Sequence, residues 1–371
     1  MRVLTVNTGS SSVKLALYAA GADETRIAST QGDRIADHAA ALRSALGRLR
    51  TDADAAPLDA VAHRIVHGGR SYHEPVRITA DVQRELQDLT GVDPDHMPQA
   101  LAAIALMSEI YPDVPQIACF DTAFHHAMPR VAQMYPLPRR FRDNGVRRYG
   151  FHGLSCEYIM RALAGIDSQA AAGRVVIAHL GSGASLTAVR NGRSIETTMG
   201  FSPTGGVVMG TRTGDIDPGV LVYASVAGRL DADGLNRLVN REAGLLGVSE
   251  TSQDMRDLLA REPTDSRAAD AVALFCYSIR KALGSLVAVL GGIDTLVFTA
   301  GIGERAATIR QRICKGLDIF GLQLDDARNA EDAAIISTHG AAVTVRVIAT
   351  DEDRMLARHA ADVLATGERD V

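Results

Sequence analysis

The chain has 371 residues, 46% hydrophobic and 22% charged, with a net charge of −5 and an isoelectric point near 6.1. That length suits about two domains of ordinary globular composition, and the acidic balance argues against nonspecific nucleic-acid binding while leaving room for a local basic pocket. The four cysteines are far apart with no CxxC pair, the longest apolar run (283–293) is short and holds three glycines, and no charged, apolar leader precedes the first strand; a reduced, cytoplasmic protein without membrane or nucleic-acid partners is expected.

Residues 3–6 read as an apolar strand, and NTGSSSVKL follows at 7–15. Val13, Leu15 and Leu17 alternate with Ser12, Lys14 and Ala16, so a second strand leaves the turn with one face buried. Gly9 lets the backbone come close to a ligand, and hydroxyls, N–H groups and one cation converge there. The turn is a phosphate site or an ordinary polar hairpin. In AHRIVHGG (62–69), Arg64 lies between apolar neighbours in strand-like sequence. A charge there needs a partner: it forms a partly buried ion pair or clamps an anion through a guanidinium fork. His63 and His67 read as structural. Helices are expected at 38–51, 80–90, 98–110, 154–165, 217–228, 266–290, 305–317 and 352–365, with Pro98 in the first turn of the third. The polar stretches 20–40 and 322–340 carry loops or edge strands.

Asp121 ends the strand 117–120 and could help hold a cation or cap the following helix. YGFHG (149–153) places His152 between Phe151 and Gly153, and VMGTRTGDIDPG (208–219) places Arg212 in a glycine turn. A strand at 175–178 runs into HLGSGASLTAV (179–189), so segments aligned on Gly9 and Gly181 both read strand, Gly-Ser turn, strand. A third turn, AGIGE (300–304), follows the strand 296–299 and resembles the dinucleotide fingerprint weakly. TDED (350–353) follows the strand 343–348 and caps a helix or presents acid to a metal. No GxxxxGK[ST], GxSxG or His/Cys metal spacing occurs. Three strand ends rich in small residues suggest one nucleotide site built by two similar α/β halves.

Taken in order, NTGSSSVKL, AHRIVHGG, FDTAFH, RRYGFHG, HLGSGAS, MGFSP, MGTRTGDIDPG, FTAGIGE and TDED resemble the acetate kinase family, which includes propionate and butyrate kinases, over nearly the whole chain. The resemblance implies the duplicated two-domain α/β fold shared by acetate and sugar kinases, heat-shock seventy ATPases and actin, whose domains close over ATP and substrate. It implies an N-terminal domain of 1–125 plus 354–371 and a nucleotide-binding domain of 126–353. It also implies a homodimer, ATP and ADP as co-substrates, and Mg²⁺ with Mn²⁺ as a substitute. By resemblance, Ser10, Ser12 and Lys14 form the first phosphate loop with Asn7, and His179, Gly181 and Gly183 the second. Asn7, Asp121 and Glu352 stand near the magnesium ion. Arg64 and Arg212 hold the carboxylate and the phosphoryl group in transfer, and His152 contacts that group. Asp254, Arg256, Gly301, Gly303 and Glu304 surround adenosine; Val66 and Pro203 wall the acyl pocket. This fits a reaction that aligns two anions and needs positive charge more than covalent chemistry.

The chain departs from the family's usual pattern at Asp95 (a leucine of the acyl pocket), Met97, Cys156 (a histidine), Ser182 (an asparagine), Thr204–Gly206 and Arg305. The charged core is intact and the walls differ. Met97 and Cys156 are therefore expected to reshape the acyl pocket, and Asp95 to weaken acetate binding. The expected reaction is phosphoryl transfer from ATP to acetate, with propionate or another short acid as the alternative acceptor and a non-catalytic nucleotide-binding regulator of the same fold as the remote alternative.

Overall fold

In β1 (Arg2–Thr8) nearly every residue is buried, on both faces, and the reason is what covers each side. The computed structural model describes residues 1–9, 12–21, 23–33, 38–52 and 57–367. Contacts divide the chain into a first unit of Met1–His126, Gly153–Tyr158 and Asp351–Val371 and a second of Ala127–His152 and Ile159–Thr350. The sequence placed the divisions at 125 and 353; the compact units divide at 126 and 350, and six residues after His152 fall in the first unit.

The first unit holds β1, β2 (Ser12–Ala19), β3 (Thr25–Asp33), β4 (Ala60–Ile65), β5 (Val76–Arg77) and β6 (Gln116–Phe120). Their order is β3-β2-β1-β4-β6-β5. β1 pairs antiparallel with β2 and parallel with β4, which pairs parallel with β6. On one face, Val3, Ala16, Tyr18, Ala62 and Cys119 pack with Met355, Leu356 and Ala360 of the helix Glu352–Ala365. On the other, Leu4, Val6, Leu15 and Val61 pack with Leu42 and Leu46 of the helix His38–Asp52 and Met107 of the helix Met97–Ile110. The period of two in each strand assigns these faces. Carried past the apolar residues, it puts Asn7, Lys14, Arg64 and Asp121 on the face that the terminal helix covers, at one end of the sheet. His63 has the opposite parity, and its Nε2 meets Gln116 Oε1 at 2.6 Å inside the sheet's other face. Burial pushes its imidazole down to about 4 against that hydrogen bond, so it stays neutral and structural.

The second unit repeats the pattern with β7 (Arg174–Leu180), β8 (Ala184–Arg190), β9 (Arg193–Thr197), β10 (Thr295–Thr299) and β11 (Thr344–Val347). Read as β9-β8-β7-β10-β11, its sheet has the order and sense of β3-β2-β1-β4-β6. The helix Ser266–Leu290 packs on β7, β8 and β9. Among the described residues it alone is long and apolar enough to cross a membrane. It buries Val272, Phe275, Ile279, Leu283, Leu286 and Leu290 at helical spacing, as the central core helix of this unit.

The expected helices are all present. The helix expected at 305–317 is Ala307–Cys314, and the turn expected at 300–304 is instead a helix, Ala300–Arg305; Ala306 separates the two by leaving helical backbone geometry at φ −109°, ψ 78°. The polar stretch 20–40 contains β3, an edge strand bonded to β2. All four cysteines are free and buried. Burial pushes Cys276 up to about 11 and Cys314 up to about 12, so they are inert thiols.

Candidate active site

In the first unit, the shared strand face brings Asn7, Arg64 and Asp121 together with Glu352 of the terminal helix. Arg64 Nε lies 3.0 Å and 3.1 Å from the two carboxylate oxygens of Asp121, and Nη2 lies 2.5 Å from Oδ2. Nη1 donates to Asn7 Oδ1 at 3.2 Å and stands 3.6 Å from Glu352 Oε2. Asn7 Nδ2 donates to the same glutamate oxygen at 3.4 Å. Burial opposes the Arg64 charge, but the carboxylates of Asp121 and Glu352 outweigh it and hold the guanidinium above its ordinary value. The ion-pair reading of Arg64 is therefore realised. Asp121 does not cap the next helical turn: the cap position is Thr122, whose hydroxyl accepts instead from Gly68 N–H at 3.1 Å, and the Asp121 carboxylate is buried against Arg64. A second reason for its place is Gly153, whose N–H donates to the Asp121 carbonyl at 2.8 Å. A Cβ on Gly153 would lie 2.1 Å from that oxygen, so glycine is required there.

The TDED segment caps its helix and turns two further acids inward. Asp351 caps the terminal helix by accepting from Arg354 N–H. Glu352 reaches the Asn7–Arg64 cluster, and Asp353, fully buried, pairs with Lys14 at 2.6 Å. Of the first phosphate turn, Ser10 lies outside the described residues, Ser12 opens β2, and Lys14 is half-exposed beside Asp353. Val66 is buried and Asp95 partly so. Beside Asp95, Asp93 Oδ1 and His96 Nδ1 stand 2.8 Å apart. Met97 and Cys156 correct one expectation: both side chains are buried, and Met97 joins Ile65, Val76 and Phe120 in the core, so neither lines an open acyl pocket.

In the second unit, β7 and β8 pair His179 opposite Ser185. His152, held at φ 58° before the helix Gly153–Ile166, stacks on His179 with ring centroids 4.1 Å apart and an interplanar angle of 19°. Its Nδ1 lies 2.9 Å from Ser185 Oγ. A Cβ on Gly183 would stand 3.3 Å from His152 Nε2 and 3.6 Å from Arg212 Nη2. Glycine thus keeps open the space where an imidazole and a guanidinium converge. Arg212 is oriented by Nη1, which donates to the Pro203 carbonyl at 2.8 Å. Its loop is tied to the glycine turn by Gly210 N–H, which donates to Ser182 O at 3.0 Å.

The start of the helix Ala300–Arg305 adjoins the second glycine turn, since a Cβ on Gly181 would lie 3.7 Å from Ala300 Cβ. Glu304 Oε1 accepts from Thr350 N–H at 3.1 Å. Arg310, which sequence reasoning missed, is a fully buried arginine whose Nη1 donates to the carbonyls of Gly303 and Glu304, each at 2.9 Å. The signal was present: Arg310 adjoins Ile309 in an apolar helical pattern, as Arg64 adjoins Ile65 in a strand. Asp254 caps the helix Met255–Arg261 and pairs with the exposed Arg256 at 2.6 Å, which holds its carboxyl below the usual range. Its neighbour Gln253 lies by the Arg212 loop, with its carbonyl 3.5 Å from where a Cβ on Gly210 would stand.

Two α/β sheets of matching order, each ending in a polar strand-end cluster, define a phosphotransferase fold with a duplicated core. The profile of the Acetokinase family matches residues 2–358, and the chain belongs to that family. It is 43% identical over 387 residues to the acetate kinase of Rhodopseudomonas palustris, across 96% of this chain and 97% of that one. The crystal structure of Porphyromonas gingivalis acetate kinase superposes with a TM-score of 0.88 at 32% identity, covering 99% of this chain and 100% of its own. A propionate kinase from Francisella tularensis superposes with a TM-score of 0.85, also at 32% identity, covering 96% and 98%. The chain is accordingly an enzyme of the acetokinase kind, a kinase whose acceptor is a carboxylate.

Proposed function

We propose that this enzyme transfers the γ-phosphoryl group of ATP reversibly to acetate, giving acetyl phosphate and ADP, as a cytoplasmic homodimer that uses Mg²⁺. The observation that carries the reading is the open space over Gly183, faced by His152 Nε2 and Arg212 Nη2. Both reactants are anions, and the barrier falls when fixed positive groups meet charge on the phosphoryl oxygens. The 2.9 Å contact of Nδ1 with Ser185 Oγ fixes the His152 ring, and in the tautomer that accepts there the proton sits on Nε2, facing that space. Arg212 adds a charge that cannot be lost at physiological pH. The acetate carboxylate is already ionised, so no general base is needed.

The donor set of Asn7, Asp121 and Glu352 is all hard oxygen, with two carboxylates, which suits Mg²⁺. These residues would hold Mg²⁺, which would supply positive charge against the ATP phosphates. Arg64 keeps the two acids placed and their mutual repulsion low. Lys14, His179, the turn at 181–183 and the helical segment 301–304 are assigned to phosphate and nucleotide, with Asp254 and Arg256 beside adenosine.

A second acceptor, propionate or a larger acid, is favoured by Asp95 where the family places leucine. An ionised side chain facing the acyl pocket would repel acetate and wet an apolar wall. The test is an acyl-hydroxamate assay with ATP, Mg²⁺ and a panel of short acids. Acetate as the best or second-best acceptor is expected; no product with any acid would overturn the reading. Asp95→Leu is expected to lower the acetate KM. An unchanged or higher KM would show that Asp95 faces away from the substrate.

A further inference from the structure

Arg148 makes an unusual set of bonds for a residue outside the phosphate turns. Its Nη1 lies 3.0 Å from the carbonyl oxygens of Thr197 and Thr198 and 3.2 Å from that of Met199. Nε lies 3.2 Å from Glu196 Oε1 and 3.3 Å from the Ala132 carbonyl. The guanidinium therefore gathers the end of β9 and the loop that leaves it. Two further contacts fix the same loop. Tyr149 and Gly150 N–H donate to the Gly200 carbonyl at 3.0 Å and 3.3 Å, and Phe201 N–H donates to Tyr135 Oη at 2.8 Å. A Cβ on Gly200 would lie 2.1 Å from Tyr135 Oη, so the loop seats closely on that ring. The Arg148 guanidinium in turn sits 5.7 Å from the centre of the Tyr135 ring.

What this loop carries gives the bonds their meaning. Two residues past Phe201 is Pro203, whose carbonyl holds Arg212 Nη1 at 2.8 Å. Two residues past Gly150 is His152, which faces the same space over Gly183. Segment 148–150 and loop 197–203 are thus laced together, and the groups that converge over Gly183 hang one from each strand of the lacing. We propose that Arg148 is a positioning residue for phosphoryl transfer, acting through the Pro203 carbonyl to fix the Arg212 guanidinium relative to His152. The role rests on the reading that Arg212 meets the transferring group. Lysine cannot replace it fully, because one ammonium does not span three consecutive carbonyls and a carboxylate in a fixed plane.

The test separates chemistry from binding. Arg148→Met is expected to lower kcat by about 10- to 100-fold, the scale of a small misplacement of a catalytic group, while the ADP dissociation constant stays within twofold. Arg148→Lys, which keeps a charge facing Glu196, is expected to recover part of kcat and serves as the measured variant if the Met form does not fold. In an Arg212→Ala background either substitution should cause no further loss, because its route is already cut. A kcat within twofold of wild type for folded Arg148→Met and Arg148→Lys would overturn the proposal. So would a loss that multiplies in full with Arg212→Ala, or equal losses in kcat and ADP affinity. Wild-type turnover in Arg212→Ala alone would instead overturn the assignment of Arg212, whatever Arg148 does.

Discussion

A guanidinium buried against two carboxylates is stable when all three are present and costly when one is missing. Removing Arg64 leaves Asp121 buried without its partner, which costs about 3–5 kcal/mol in comparable pairs. Arg64→Ala is therefore expected to lower both the unfolding midpoint and kcat/KM, the latter by about 10²–10⁴, with Arg64→Lys recovering part. Activity near wild type in a folded Arg64→Ala protein would remove Arg64 from the site. Asp121→Asn and Glu352→Gln are expected to raise the Mg²⁺ concentration for half-maximal activity; overlaid Mg²⁺ titrations would show that both acids serve packing. His63 gives a separate pH signature. Its pKa in the folded state is about 4 against 6.5 unfolded. The unfolded chain therefore binds the extra proton between those values, and stability falls as pH drops from 6.5 toward 4. The full shift corresponds to roughly 3 kcal/mol. Substitution by Gln should flatten that acid limb in urea melts at pH 7, 6 and 5; an identical pH slope in His63→Gln would contradict it. Arg64 was legible because a charge in an apolar strand demands a partner. Arg148 was not, because its partners are backbone carbonyls 49 to 51 residues away, which no side-chain pattern marks.

Elements were legible where one face is buried and one is not. The terminal helix Glu352–Ala365 announced itself through its acidic first turn and apolar period, and Asp351 caps it. The edge strand β3 was legible only as one of two readings of a polar stretch, loop or edge strand, since TRIASTQGD has no apolar alternation to place it. What ties these two distant elements is invisible in local pattern. Glu24, buried just before β3, accepts from Arg354 Nε at 3.1 Å and from Arg358 Nε at 2.6 Å. The pair of arginines holds its carboxyl below the usual range against the burial that would raise it. The terminal helix supplies Glu352 to the polar cluster and Asp353 to Lys14, so its anchorage bears on the proposed metal site. Glu24→Gln is expected to destabilise by about 1.5–3 kcal/mol, the value of hydrogen bonds to charged groups, and to raise the Mg²⁺ requirement with it. A loss of stability with an unchanged Mg²⁺ titration would confine Glu24 to a structural part.

At the scale of the whole molecule, the repeated sheet order was legible in outline from the Gly9 and Gly181 turns, because each is a strand-turn-strand unit at the centre of its sheet. Surface function was harder to read, since the helix Pro218–Val226 looks from its sequence like a core helix. Its residues PGVLVYASV are apolar around the whole circumference, yet none is buried, and Val222, Tyr223 and Val226 are 63%, 71% and 76% exposed. A helix apolar all round belongs in an interior, and a contiguous apolar patch of this kind marks an association surface. On the second unit, Leu274 and Tyr277 of the helix Ser266–Leu290 are also exposed, which adds to the apolar area available. The homodimer proposed above would give that area an occupant, a second copy of the chain. Tyr223→Glu combined with Val226→Glu should therefore shift the protein to monomer in sedimentation at micromolar concentration, with its circular dichroism unchanged. Charging two central positions desolvates two carboxylates with no partner, a cost that a standard interface of ~800 Å² per side does not absorb. The wild-type unfolding midpoint should rise with protein concentration and the variant's should not. A wild-type chain that sediments as a monomer at tens of micromolar would remove the dimer. A variant that remains dimeric would move the interface to another face.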